Sequence, residues 1–123
     1  MAKILVVDDD LIIRDLFKRV LAKEGYEVMT AETAEQGLEV IAKEGAENIK
    51  LVFLDLRMPG IGGEVTVETL RNCYTSLPII IISAYGTLPT CIKLIEKGQV
   101  DYISKPFDME YIKVVVRNKV GLT

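Results

Sequence analysis

The 123-residue chain contains no histidine and no tryptophan, and only two cysteines. The missing histidine removes Ser-His-Asp and Cys-His catalysis, the usual histidine-bearing zinc sites and any phosphohistidine carried by the chain itself. Cys73 and Cys91 stand alone, with no metal spacing and no disulfide framework. A reducing, cytoplasmic setting is therefore expected, with both thiols acting as small hydrophobes in or near the core. No apolar run approaches the roughly 18 residues of a membrane span. The N-terminus has one Lys, a short apolar run and then acids, unlike a signal peptide. Basic residues are also in deficit: 15 Lys and Arg against 18 Asp and Glu give a net charge of −3. Neither a nucleic acid nor a membrane is expected as a direct partner, since a nucleic-acid surface needs a basic patch. Chemistry must come from carboxylates, hydroxyls, Lys, Arg and backbone.

What is present is a core-forming composition, 50% hydrophobic and 27% charged, which suits one soluble domain over residues 1–123. Five β-rich runs stand out: Ile4–Val7, Glu27–Thr30, Lys50–Leu54, Pro78–Ile82 and Val100–Ile103. The runs LVFL and IIII lack polar alternation, as strands covered on both faces of a parallel sheet do. Between the runs, Ile13, Phe17, Val20 and Leu21 make a helical stripe, and Ala34, Leu38, Ile41 and Ala42 repeat it. Leu88, Cys91, Ile92 and Ile95 form another, and Ile112, Val115 and Val116 follow near the end. Gly25 and Gly98 fall where helices should stop. Glu64–Leu70 alternates like a strand and is rich in β-branched residues, yet a parallel neighbour needs a crossover there, so a helix is expected. The alternation implies an α/β fold, a doubly wound five-stranded parallel sheet.

In such a sheet, ligands bind beyond the carboxyl ends of the strands, where strand order reverses. Asp8, Asp9 and Asp10 follow the first run, Asp55 the third, Ser83 the fourth and Lys105 the fifth. With strand order 2-1-3-4-5, Asp8, Asp9 and Asp55 converge at the reversal, and Ser83 and Lys105 approach from the other side. Each residue has an ordinary use: an Asp as helix cap (one of Asp8–Asp10 for the first helix), Ser83 as a turn residue, Lys105 as a solvated charge. Their convergence is what argues for a site. Two carboxylates about 4 Å apart repel by roughly 4 kcal/mol at an effective dielectric near 20, and a bound cation relieves that. Mg²⁺ suits such a cluster because it takes one or two carboxylates, keeps waters and coordinates phosphate oxygens. A Lys and a hydroxyl opposite suit a phosphoryl group. Asp55, central between acids and Lys, is the candidate nucleophile for an aspartyl phosphate.

As a set, VVDDD, LVFLDLRMPG, IIIISAYG and DYISKPFD, in this order and spacing from Lys3 to about Val120, resemble the receiver domain of bacterial two-component response regulators. The resemblance implies a flavodoxin-like three-layer sandwich and a phosphorylation switch rather than an enzyme with a separate substrate. It implies Asp55 as phosphoacceptor and Asp9 as a direct Mg²⁺ ligand. Asp8 would help, often through water, and the Arg57 carbonyl would be a further ligand. It implies Ser83 bonding the phosphoryl oxygen, Lys105 pairing with it, Tyr102 at the aromatic switch position and a cis Lys105-Pro106 bond. Asp10 takes no metal role. The implied phosphodonor is a sensor histidine kinase or a phosphotransfer protein. Output would pass to an effector domain or downstream protein, with phosphorylation-dependent dimerisation an option. Two departures touch no catalytic group: Gly62 stands where the family commonly has Asp, and Gln99 displaces a common Ala. The run Ser83-Ala84-Tyr85-Gly86 is more similar to stand-alone relay receivers and to receivers of enhancer-dependent transcription activators.

Two other readings compete. A haloacid-dehalogenase-type phosphatase also uses an aspartyl phosphate and Mg²⁺, and Asp8-Asp9-Asp10 contains an Asp-x-Asp; but Ile12 stands where that family expects Thr. A degenerate receiver used only for docking would not need Asp9, Asp55, Ser83 and Lys105 together. A dinucleotide site fails, because Gly60, Gly62 and Gly63 lack the required spacing and follow no strand directly.

Overall fold

A computed structural model of the chain describes residues 2–55, 63–83, 96 and 100–121. The described elements run β1 (Lys3–Val7), α1 (Leu11–Lys23), β2 (Glu27–Ala31), α2 (Ala34–Glu44), a 3-10 turn (Ala46–Asn48), β3 (Ile49–Asp55), α3 (Gly63–Cys73), β4 (Ile79–Ser83), β5 (Val100–Ser104) and α4 (Met109–Val120). The strands form one sheet in the order β2-β1-β3-β4-β5, and every neighbouring pair is parallel. The expected order and the doubly wound three-layer architecture are thus present.

Strand alternation sorts the core into two halves. Leu5, Val7, Val52, Leu54, Ile79 and Ile81 face α2 and α3, where Ala34, Ile41, Val67 and Leu70 meet them. Ile4, Val6, Leu51, Phe53, Ile80 and Ile82 face α1 and α4, against Phe17, Leu21, Ile112 and Val116. Because both faces are covered, β1, β3 and β4 read as continuous apolar runs. Phe17 meets Phe53 and Phe107 edge-on at centroid distances of 5.0 and 5.5 Å, tying α1 to the sheet and to the stretch leading into α4.

Helix ends follow local chemistry. The Asp10 carboxylate accepts from the Ile12 amide at 2.9 Å and caps α1, Thr33 accepts from Gln36 at 3.1 Å and caps α2, and Asp108 accepts from Glu110 at 2.8 Å and caps α4. Gly25, after α1, has φ +94°, the left-handed conformation that glycine adopts without a Cβ penalty. At the other end of α3 the Arg71 guanidinium donates to the carbonyls of Tyr74, Thr75 and Leu77, carrying the chain into β4.

The segment Glu64–Leu70 is helical, as the crossover argument requires. Thr66, Val67 and Leu70 are buried while Val65 is exposed, an i, i+1, i+4 pattern that no strand would give. Tertiary packing overrides the β-branched propensity.

Other expectations need correction. Ala42 is exposed; Gly37 takes its place in the buried face of α2, with Ala34 and Ile41. Its backbone lies against β1, so that a Cβ there would stand 2.9 Å from Val7 Cγ2. Cys73 is exposed at the end of α3, so it is not a core residue. Leu88, Cys91, Ile92, Ile95, Gly98 and Gln99 lie outside the described residues, as does the loop with Arg57, Gly60 and Gly62.

The contact under Gly37 generates a test. Gly→Ala inside a helix gains about 0.5–1 kcal/mol, but overpacking costs about 1–3 kcal/mol, and Val7 is a stiff β-branched neighbour. Gly37→Ala should therefore destabilise by about 1 kcal/mol in urea unfolding. In a Val7→Ala background the same change should become stabilising, because the obstructing methyl is gone.

Candidate functional site

The carboxyl ends of the strands carry the polar residues. Val7 of β1 is level with Leu54 of β3, and Asp55 is level with Ile82 of β4. Continuing the alternation past Val7 puts Asp8 on the α1 face, the face to which Asp55 also belongs. The strand register thus places two carboxylates side by side, both out of water: Asp8 is 1% exposed and Asp55 3%.

Asp8 is held on three sides. Its amide donates to the Ala31 carbonyl at 3.1 Å, its carbonyl accepts from Arg14 Nη1 at 2.8 Å, and its Oδ1 accepts from the Asp10 amide at 2.9 Å. The remaining oxygen, Oδ2, is buried without a hydrogen bond and lies 3.7 Å from Lys105 Nζ. Burial pushes the Asp8 carboxyl above the usual carboxylate range. The Asp10 amide works against that shift and the Asp55 charge adds to it; Lys105 and Asp9 act in the same opposed way.

Lys105 follows β5 and reaches over the sheet end. Its backbone amide donates to the Ser83 carbonyl at 2.8 Å, and its Nζ donates to Asp55 Oδ2 at 3.1 Å. Burial would lower the Lys105 ammonium, but the hydrogen bond and charge of Asp55, with Asp8 behind, outweigh it and leave the pKa raised. Lys105 is therefore a firmly held cation at neutral pH. Ser83, fully buried at the end of β4, is level with Ser104. The Tyr102 hydroxyl donates to the Ser83 carbonyl at 3.5 Å. The Lys105-Pro106 bond is cis, as expected.

Asp9 is exposed, yet it brings a carboxylate oxygen into the same cluster: one ligand atom each from Asp8, Asp9 and Asp55 lies within 4.8 Å of the others. Among the described residues one ammonium, that of Lys105, pairs with this cluster of three carboxylates, and a buried oxygen without a donor is costly. A hard cation bound through oxygen meets both needs, so the donor set fits Mg²⁺. Asp10 serves as the cap of α1.

The structure thus brings Asp8, Asp9, Asp55, Ser83, Lys105 and Tyr102 to one end of the sheet. Arg57 lies outside the described residues. The sequence reading missed Arg14, which is buried and bonds the Asp8 carbonyl. A signal was available: Arg14 stands at i, i+3, i+7 with Phe17 and Leu21, so a charge occupies the buried stripe of α1.

A family model described as the response regulator receiver domain matches residues 4–117. Sporulation initiation phosphotransferase F of Bacillus subtilis is 34% identical over 120 residues, spanning 98% of this chain and 94% of that protein. The response regulator protein FleR of Pseudomonas aeruginosa is 32% identical over 121 residues; the match spans 98% of this chain but 25% of FleR. The crystal structure of a response regulator receiver domain protein from Clostridium thermocellum superposes with a TM-score of 0.90 at 28% identity, covering 98% of this chain and 94% of that one. Matched along nearly its whole length in sequence and in sheet order, the chain belongs to the receiver domains of two-component response regulators, the phosphoacceptor family of those systems.

Proposed function

We propose that residues 1–123 form one receiver domain in which Asp55 accepts the phosphoryl group. Support comes from one arrangement above all: the buried Asp55 carboxylate meets the Lys105 ammonium at 3.1 Å and clusters with the acids Asp8 and Asp9. A carboxylate oxygen of Asp55 attacks phosphorus, the P–N bond to a donor phosphohistidine breaks, and the electron pair leaves with the imidazole. The product is an acyl phosphate on Asp55. Lys105 transfers its hydrogen bond from the carboxylate to a phosphoryl oxygen and offsets the added charge, and the Ser83 hydroxyl donates to another. Mg²⁺, held by Asp8, Asp9, Asp55 and the Arg57 carbonyl, would supply positive charge against the phosphoryl oxygens.

The donor would be a sensor histidine kinase or a phosphotransfer protein. The chain acts on itself, assisting its own phosphorylation and hydrolysis rather than turning over a separate substrate. Tyr102, bonded to the Ser83 carbonyl at 3.5 Å, connects the site to the surface of β5. A phosphoryl group bound by Ser83 would bias the conformation there and so the binding of an effector domain, a downstream protein or a second copy. The haloacid-dehalogenase-type reading loses its ground with the family assignment.

Two measurements test this reading. Mg²⁺ should raise the melting temperature by mass action. Asp9→Asn should largely abolish that increment, while Asp8→Asn should raise the melting temperature in chelator, where no Mg²⁺ offsets the buried charge. A parent-like Mg²⁺ response in Asp9→Asn would remove the acids from the metal site.

With Mg²⁺ and acetyl phosphate, intact mass should show one added phosphoryl group, stable in acid and labile in base. Asp55→Asn should not be labelled. Lys105→Ala should keep the acceptor yet lose much of the conformational response, read as amide shift changes around Tyr102. Equal labelling of Asp55→Asn would place the nucleophile elsewhere, and an unlabelled parent that still binds a partner would favour a docking module.

A further inference from the structure

Among the described residues, Arg14 is the one basic side chain that is buried, 8% exposed on the inner face of α1 beside Phe17 and Leu21. A guanidinium is expensive to desolvate, and a leucine would suit that stripe better. Its contacts say what it is there for. Nη1 donates to the Asp8 carbonyl at 2.8 Å in a buried, charge-assisted bond. Nη2 lies 3.7 Å from the carboxylate of Glu32, whose side chain is 66% exposed, so that pair is weak. The Arg14 amide donates to the Asp10 carbonyl at 3.1 Å, the first intrahelical bond of α1, which any residue there would make.

The Asp8 carbonyl and the Asp9 amide belong to one rigid peptide plane. A bond that fixes this carbonyl therefore fixes the direction in which the chain enters Asp9. Turning the plane would swing the Asp9 carboxylate away and strain the bond from the Asp10 amide to Asp8 Oδ1. We propose that Arg14 is a positioning residue for the cation site: it locks the Asp8–Asp9 peptide so that both carboxylates converge beside Asp55. The proposal rests on reading the acidic cluster as a Mg²⁺ site. Arg14 touches neither phosphoryl group nor cation; it acts through the peptide it holds. Outer contacts of this kind commonly govern metal affinity by 10–100-fold.

The test is a Mg²⁺ titration of the full chain followed by amide NMR at Asp9 and Asp10, with urea unfolding in chelator alongside. Arg14→Met should stay folded and bind Mg²⁺ about tenfold or more weakly. Arg14→Lys, which keeps the charge and one donor, should fall between Arg14→Met and the parent. Glu32→Gln should match the parent. Phe17→Leu, on the same face of α1, should lower the urea midpoint without moving the Mg²⁺ midpoint, separating positioning from general loss of packing. Folded Arg14→Met with parental Mg²⁺ affinity would overturn the proposal. Should Arg14→Met fail to fold, Arg14→Lys decides, and parental affinity in it overturns the proposal equally. A parent that ignores Mg²⁺, or Asp9→Asn that responds as the parent does, sinks the metal-site reading itself.

Discussion

Asp8 and Asp55 are almost wholly removed from water, and the ammonium of Lys105 lies 3.7 Å from one and 3.1 Å from the other. Two sealed carboxylates side by side repel, and burial holds the Asp8 carboxyl above the usual carboxylate range. Among the described residues the ammonium is one positive charge beside a cluster of three carboxyl groups. Such an acidic cluster is the kind of donor set that suits a hard cation.

The sheet topology exists to make this encounter. β1 and β3 are neighbours because the chain moves one way for β2 and the other way thereafter, which opens the space above their ends. Strand parity then assigns Asp8 and Asp55 to one face, and the hydrogen bond from the Lys105 amide to the Ser83 carbonyl anchors the arm that carries the ammonium. None of these groups is adjustable alone. A one-residue slip of β3 would send Asp55 to the α2 and α3 face and put Leu54 at the site.

Polar groups buried at a sheet end lower stability relative to an apolar end, and the apolar faces of the same strands compensate. Ile4, Leu5, Leu51, Val52, Ile79, Ile80 and Ile81 are fully buried. Arg14 belongs to the same exchange: a desolvated guanidinium in an apolar stripe is tolerated because the peptide it binds must not turn. Local rules are broken where function requires it, and the surrounding core bears the cost.

By itself the sequence determined the described strands, the parallel sheet and the residue types at the sheet end. Each of these is written in short-range signals: uninterrupted apolar runs, helical stripes, and a carboxylate, hydroxyl or lysine after a given strand. Zero histidines and the acids after β1 and β3 narrow the available chemistry to carboxylates, hydroxyls, Lys, Arg and backbone. Tertiary structure decided what depends on two distant segments meeting. Gly37 rather than Ala42 faces the core because α2 presses its backbone on Val7. Glu64–Leu70 became helix because burial of Val67 and Leu70 against the sheet outweighs a local preference for strand. Cys73 came to the surface because α3 ends there, with its buried face already spent on Val67 and Leu70. Arg14 acquired a role because its partner is a backbone carbonyl, a group every residue has and no side-chain pattern can mark.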